Sequence, residues 1–400
     1  MRRDAERTER IARALAEAGL DAVVCALPAN VLLLTGYYPV VGTSVAVATR
    51  DGVVQVIAPE DEKGLAARGR ADKVLTFSAG SLDGLLSASE AVRAPLREAL
   101  KSLGVGRGSV VGYEAGEWFE TAPYAALHLY GSRVHEMLAR DFPFTALLHA
   151  DDLLTRLRAS LTWAELDGVR AACRLAGDAF TVGARALCAG LKETDAASLF
   201  RAPLCEVGEC GEGPARADGF VYCMSGPNSA KAYAAYQRSR SRRIAEGDLV
   251  LVHCNSYADG YWTDITRTFC VGEADVGKRR MYEAVFAARR AALACARPGV
   301  AASEVDAAAR QVMTTYGFGK EFKHGLGHGV GFAAINHNAP PRLHPASTDV
   351  LEAGMVFNVE PAIYFEGCGG MRHCDMVVVT EEGAEVLTPF QASVEELTIS

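Results

Sequence analysis

Hydrophobic positions in the first 150 residues switch repeatedly between the helical and the strand period. The pattern predicts an amphipathic helix near 5–18, apolar strands at Ala22–Leu27, Ser44–Ala48 and Val53–Ala58, a helix around 91–103 and a strand at Ser109–Tyr113. Such alternation predicts an α/β layer. Between Ala150 and Leu154 the pattern changes to long helices with few strands, which divides the chain into domains 1–150 and 151–400. Thr162 followed three residues later by Glu165 forms a capping box, opening a helix that runs to about 189.

The second part repeats one plan. An alanine-rich helix over Ala171–Leu187, a break at Gly190 and a helix from Asp195 are echoed by Tyr282–Ala296, a break at Pro298-Gly299 and a helix from Ser303. Recurrence at about 110 residues predicts a pseudo-symmetric α+β domain of strands backed by helices, with a site between its halves. Leu249–His253 is a buried strand and Tyr261–Phe269 a second, joined through Asp259-Gly260, a hairpin signal. With a two-residue loop, Asn255 faces Asp264 and His253 lies diagonal to it on the same side, so His253 and Asp264 converge. Three further fragments carry polar chemistry. Lys323–Gly331 is glycine-rich and lets His324 and His328 approach a ligand closely; Val356–Pro361 puts Glu360 at the end of an apolar strand; Met371–Asp375 begins another strand.

Composition narrows the function classes. Four hundred residues, 50% apolar and 22% charged, suffice for two domains and exclude disorder. With 41 basic against 49 acidic residues, net −8, the chain has no footprint for nucleic acid or an anionic membrane. No apolar run approaches the roughly 18 residues of a membrane span, and the charged, helical N-terminus is unlike a signal peptide. The expectation is a cytoplasmic protein with no nucleic-acid or membrane partner. Eleven cysteines, odd in number and without C-x-x-C spacing, read mostly as buried thiols. Of nine histidines, His128, His135 and His149 lie in the first part and six crowd between His253 and His373, which marks that stretch for chemistry.

Taken in order, these fragments resemble the pita-bread family that includes aminopeptidase P, prolidase, methionine aminopeptidase and creatinase. The D-G-Y-x-x-D-I-T-R-T-F run at Asp259–Phe269, Gly327-His328-Gly329 and Gly354–Pro361 carry the resemblance, and Leu34-Thr35-Gly36-Tyr37 extends it to the N-terminal domain of the creatinase–prolidase branch. The resemblance implies a C-terminal pita-bread domain behind an α/β N-terminal domain, a homodimer, and two divalent cations held by two Asp, one His and two Glu. Position by position, the second Asp is Asp264, the His is His328 and the first Glu is Glu360. The other two ligands differ: His253 stands eleven residues before Asp264 where an Asp is expected, and Cys374 replaces the bridging Glu of R-x-E-D at Arg372–Asp375. The family's S-G-x-N-x-x-x-x-H ends at Tyr233. Its later assisting histidine falls on Ile335, with His337 near enough to substitute, while His324 is kept.

Charge sharpens the expectation. Two divalent cations bring four positive charges, whereas Asp264, Glu360 and a Cys374 thiolate reach at most three negative ones, and uncompensated buried charge is costly. A standard dinuclear manganese or cobalt site is therefore not expected. The site holds either one metal, zinc favoured, through some of His253, Asp264, His328, Glu360 and Cys374, or none, with a histidine as general base as in creatinase. His324, His253, Glu360 and Cys374 are the catalytic candidates, and Arg372, Tyr233 and His337 the substrate-binding ones. Cys374 stays open between ligand, nucleophile beside His253 and inert thiol. Arg267 is assigned a structural role, and His344 and His373 none. The expected function is hydrolysis of an amide, Xaa-Pro-like or amidino C–N bond in a small molecule or dipeptide. A lyase on a repurposed pocket and a non-catalytic pseudo-peptidase are the alternatives.

Overall fold

Strands β1 (Ala22–Cys25), β2 (Val45–Thr49), β3 (Val54–Pro59), β4 (Lys73–Phe77), β5 (Val110–Tyr113) and β6 (Ala146–His149) form one mixed sheet in the order β4-β3-β2-β1-β5-β6. The computed structural model describes residues 4–39, 44–78, 87–115, 133–143, 145–207, 213–234 and 237–399. His128 and Cys210 lie outside them. The chain divides into two units, Met1–Arg158 and Ala159–Ser400, and the six-stranded sheet belongs to the first. β1, β2 and β3 are buried along their whole length, which explains why they read as apolar runs and not as alternating patterns. β1 stops at Cys25, two residues before the expected end, because Pro28 opens a helix over Pro28–Thr35. That helix ends on Gly36 in the left-handed region, φ +70°.

In the second unit, β7 (Ala217–Ser225), β8 (Leu249–Ala258), β9 (Tyr261–Trp262), β10 (Ile265–Val271) and the short β16 (Thr398–Ile399) form one sheet. β11 (Val356–Val359), β14 (Asp375–Thr380) and β15 (Gly383–Val386) form a second, and β12 (Ala362–Phe365) pairs with β13 (Gly369–Arg372). Helix Trp163–Ala186 packs on helix Glu193–Arg201 and on β8, and helix Val276–Cys295 packs on helix Ala302–Thr315 and on β13. The repeated helix-pair plan is thus present. The Thr162–Glu165 capping box is formed, but its helix ends at Ala186, three residues short of the expected end. The strand expected from Met371 breaks at His373-Cys374, where the chain leaves β13 for β14.

Helix Trp163–Ala186 lies close to its neighbours because two of its buried-face positions are glycines. A Cβ at Gly168 would run into the Tyr261 ring, and one at Gly183 into the Phe200 ring. Beneath the strands, Arg267 is fully buried and places its five N–H groups on five acceptors: the carbonyls of Thr266, Cys374, Thr388 and Phe390, and Asp375 Oδ1 at 2.7 Å. Arg289 pairs with the other Asp375 oxygen. This knot ties β10 to β14 and holds the Asp375 carboxyl far below its usual range: burial would raise it, and Arg267 and His373 outweigh burial. Arg267 accordingly acts as scaffold.

Candidate active site

Asp259 (φ +48°) and Gly260 (φ +93°) turn β8 into β9 with Ala258 opposite Tyr261. The chain leaves the ladder at Thr263-Asp264, and pairing resumes in the same register, with His253 opposite Thr266. His253, Asp264 and Thr266 therefore share one face of the sheet. His253 Nδ1 stands 3.6 Å from Asp264 Oδ1. Asn255 Nδ2 donates to the Thr263 carbonyl at 2.8 Å and fixes the departure.

The facing wall is built from the glycine-rich run laid along β11. A Cβ at Gly327 would strike the Asn358 main-chain oxygen, and one at Gly329 the Pro340 oxygen, so both positions require glycine for the backbone approach. His328 N–H donates to Asn358 Oδ1 (2.7 Å) and Glu360 N–H to the Leu326 carbonyl (2.8 Å). His328 Nδ1 donates to the Gly329 carbonyl (3.0 Å), so the lone pair of the neutral ring lies on Nε2. That nitrogen faces Asp264 Oδ2 at 3.5 Å. Asn358 Nδ2 meets the same nitrogen at 3.4 Å, and the other carboxylate oxygen, Asp264 Oδ1 beside His253, is buried with no hydrogen bond. Burial would lower the His328 pKa, but Asp264 overrides it and holds the pKa above the ordinary histidine value. Asp264 itself is held low, since His253 and His328 outweigh the burial that would raise it.

Arg372, at the end of β13, closes the third side. Its Nε donates to Thr266 Oγ1 (3.0 Å), Nη2 to His253 Nδ1 (2.9 Å) and Nη1 to the Tyr364 hydroxyl (3.4 Å), and Nη1 lies 3.7 Å from Glu360 Oε2. Tyr364 in turn meets His324 Nε2 at 3.0 Å; because His324 Nδ1 donates to the Gly325 carbonyl (2.8 Å), Nε2 must accept. Burial pushes His253 and His324 down to about 4, with Arg372 adding to the effect on both. Burial raises Glu360, against the pull of Arg372.

Of the three roles left open for Cys374, its surroundings favour the protonated thiol. Its Sγ is fully buried and donates to the Asp264 carbonyl at 3.1 Å, and burial beside Asp264 and Glu360 pushes the thiol well up. Among the described residues no hydrogen bond joins it to His253. His337, exposed, brings its ring to 4.9 Å from that of His328. Tyr233 is about half exposed and sits edge-on to Tyr364 at 5.5 Å, with Lys323 Nζ 4.4 Å from its ring. His344 is an exposed loop residue, and His373 packs edge-on against Phe286 on the scaffold side. Three participants escaped the sequence reading: Tyr364, Asn358, and Asp306, whose Oδ1 accepts the Leu326 N–H at 3.0 Å. A signal existed for Tyr364 alone, since a tyrosine on a buried strand needs a partner for its hydroxyl.

A profile of the metallopeptidase family M24 matches residues 167–381, and one of the creatinase/prolidase N-terminal domain matches residues 7–160. The chain belongs to metallopeptidase family M24. It is 35% identical over 238 residues to an Xaa-Pro dipeptidase of Pyrococcus furiosus, a match covering 60% of this chain and 65% of that one, slightly under two thirds of the relative's length. It is 28% identical over 383 residues to an Xaa-Pro dipeptidase of Pyrococcus horikoshii, covering 96% and 97%. The crystal structure of the prolidase from Pyrococcus horikoshii superimposes with a TM-score of 0.74 at 26% identity, over 96% of this chain and 98% of that one. These likenesses span both units and establish the creatinase–prolidase organisation, a creatinase-type N-terminal domain followed by a pita-bread domain.

Membership in M24 implies a divalent metal. Among the described residues, no group of three or more His, Cys, Asp or Glu side chains is gathered around a common point for one. The residues that would hold one are Asp264, whose Oδ1 is buried without a hydrogen bond, His328, whose Nε2 lies 3.5 Å from Asp264 Oδ2, and Glu360, whose charge acts on both. A second cation does not fit the His253–Cys374 side. There His253 Nδ1 already accepts from a guanidinium, which would repel another cation, and the thiol is committed to a carbonyl.

Proposed function

We propose that this M24 chain hydrolyses the C–N bond of a dipeptide of the Xaa-Pro kind, or of a similarly small amidic substrate, with one divalent cation held by Asp264, His328 and Glu360. The observation that carries this reading is the buried Asp264 carboxylate, with His328 Nε2 3.5 Å from one oxygen, no hydrogen bond on the other, and the Glu360 charge acting on both residues. Three protein ligands with an open fourth position are the arrangement of a hydrolytic metal site; zinc is the metal proposed, and an oxygen-rich set of one histidine and two carboxylates also suits manganese. When bound, such a cation polarises a carbonyl and makes water a better nucleophile at neutral pH.

The chain's own residues do the rest. Glu360, whose carboxyl is raised by burial, is suited to take a proton from water and return it to the leaving amine. Tyr364 and His324 hold Arg372 and the pocket floor in place, and Arg372, Tyr233 and His337 would orient the substrate. No helix of the described residues is long and apolar enough to cross a membrane. A cytoplasmic homodimer, which the family resemblance implies, belongs to the same proposal.

The test is metal analysis of protein purified without a polyhistidine tag, paired with release of free proline from Xaa-Pro dipeptides. Proline release that is lost on chelation and restored by one equivalent of metal per chain is expected. Two equivalents would overturn the single-cation site. Release that survives chelation would favour a creatinase-like route without metal, and no C–N cleavage of any tested amide would sink the hydrolytic reading.

A further inference from the structure

Position 253 invites three roles: metal ligand, general base, or hydrogen-bond donor. The surrounding hydrogen bonds select among them. Arg372 Nη2 lies 2.9 Å from His253 Nδ1, and a guanidinium can only donate. Nδ1 must therefore be an acceptor, which puts the ring proton of the neutral imidazole on Nε2. Of the other neighbours of Nδ1, Asp264 Oδ1 stands at 3.6 Å, beyond hydrogen-bond distance, and the Thr266 hydroxyl at 3.2 Å accepts from Arg372 Nε (3.0 Å), so its hydrogen is free to turn toward Nδ1. A metal at Nδ1 would have to displace the guanidinium. A general base needs a lone pair facing the substrate, and the one lone pair of this ring is occupied.

The Nε2 side is different. It meets no acceptor among the described residues, yet it is absent from the sealed, unsatisfied atoms of the interior, so it remains accessible from outside the protein. The ring plane is held as well. Tyr222, directly across the ladder on β7, lies parallel to it, 6° between planes at 6.4 Å, and Arg238 stands 4.6 Å from the Tyr222 ring. Arg372 is itself braced by Thr268, whose hydroxyl accepts its main-chain N–H at 3.0 Å.

We propose that His253 is a preorganised hydrogen-bond donor, a neutral imidazole whose Nε2–H engages the carbonyl oxygen of the scissile bond, with Arg372 as the positioning residue that fixes its tautomer. The role rests on the hydrolytic reading. It differs from that of the aspartate that the family resemblance expects here: a cation-binding position has become a fixed dipole aimed at developing negative charge, which needs no reorganisation during the reaction.

The experiment combines ¹⁵N–¹H spectra of histidine-labelled holoenzyme, with the His253 signal assigned by its absence from His253→Gln, and kinetics and metal content of two variants. The wild type is expected to show the Nε2–H tautomer with an unprotonated, metal-free Nδ1. His253→Ala should lower kcat by about 10²–10³-fold with KM little changed, at unaltered metal content. His253→Gln, which keeps an N–H, should recover part of that loss. An Nδ1–H tautomer, a metal-shifted Nδ1 resonance, or loss of metal in His253→Ala would overturn the proposal, and so would a Gln variant no better than Ala. If the wild type shows the Nε2–H signal but turns over no C–N substrate, the hydrolytic reading fails and the substrate role of His253 falls with it.

Discussion

The pocket has two unlike walls. Along Asp264, His328 and Glu360, Asp264 Oδ1 is buried without a hydrogen bond and His328 Nε2 has one long donor contact, Asn358 Nδ2 at 3.4 Å. Along His253, Thr266 and Cys374, the Nδ1, Oγ1 and Sγ atoms each meet a protein partner within 3.1 Å. A buried polar group left without a partner costs about 1–3 kcal/mol, so the first wall is strained until something arrives and the second is complete without it. Under the proposed function the contrast separates a wall that binds from a wall that shapes, both at positions that hold metal in the family pattern.

The most severe way to break the comparison is to remove one residue from each wall. His328→Ala should abolish metal binding and lower kcat by about 10³-fold or more, whereas Cys374→Ala should keep its metal and lose less than about tenfold; atomic absorption and steady-state rates read both, and equal losses would erase the distinction. Converting the complete wall is the next test. His253→Asp combined with Cys374→Glu supplies the two missing carboxylates, and the double variant should take up a second equivalent of manganese, seen by titration calorimetry. Stoichiometry unchanged from the wild type would mean that more than two residues separate the walls.

A smaller effect probes the scaffold. Asp375→Asn leaves Arg267 and Arg289 facing a neutral group and should cost about 3–5 kcal/mol in urea unfolding at neutral pH. Because the folded-state carboxyl is depressed, this contribution is complete above the ordinary aspartate range and fades as pH falls toward the native value. The gap between wild type and variant should therefore narrow in acid.

The hairpin was legible because its information is local. Asp259-Gly260 supplies the two positive φ values of a tight turn, and the turn fixes the register that sets His253 and Asp264 on one face. His328 and Glu360 were legible through glycines and an apolar strand end. The partner of His253 was not. Arg372 reaches it across 119 residues, and no period or turn rule encodes which nitrogen of a ring a remote guanidinium will face. The role of Cys374 stayed open for a related reason: its place in a motif is compatible with a ligand, but its burial and its bond to the Asp264 carbonyl are set by remote chain that the motif does not specify.

The protonated Cys374 thiol also has a use in the laboratory. Alkylating reagents attack thiolates, and Sγ here is neutral, fully buried and engaged. Among the described cysteines, Cys188 and Cys205 are exposed and Cys295 and Cys368 partly so, and these four take the label first. Once they are blocked, slow modification of Cys374 becomes a clock for how often the inner wall opens, a breathing rate that can be followed in native buffer without substrate.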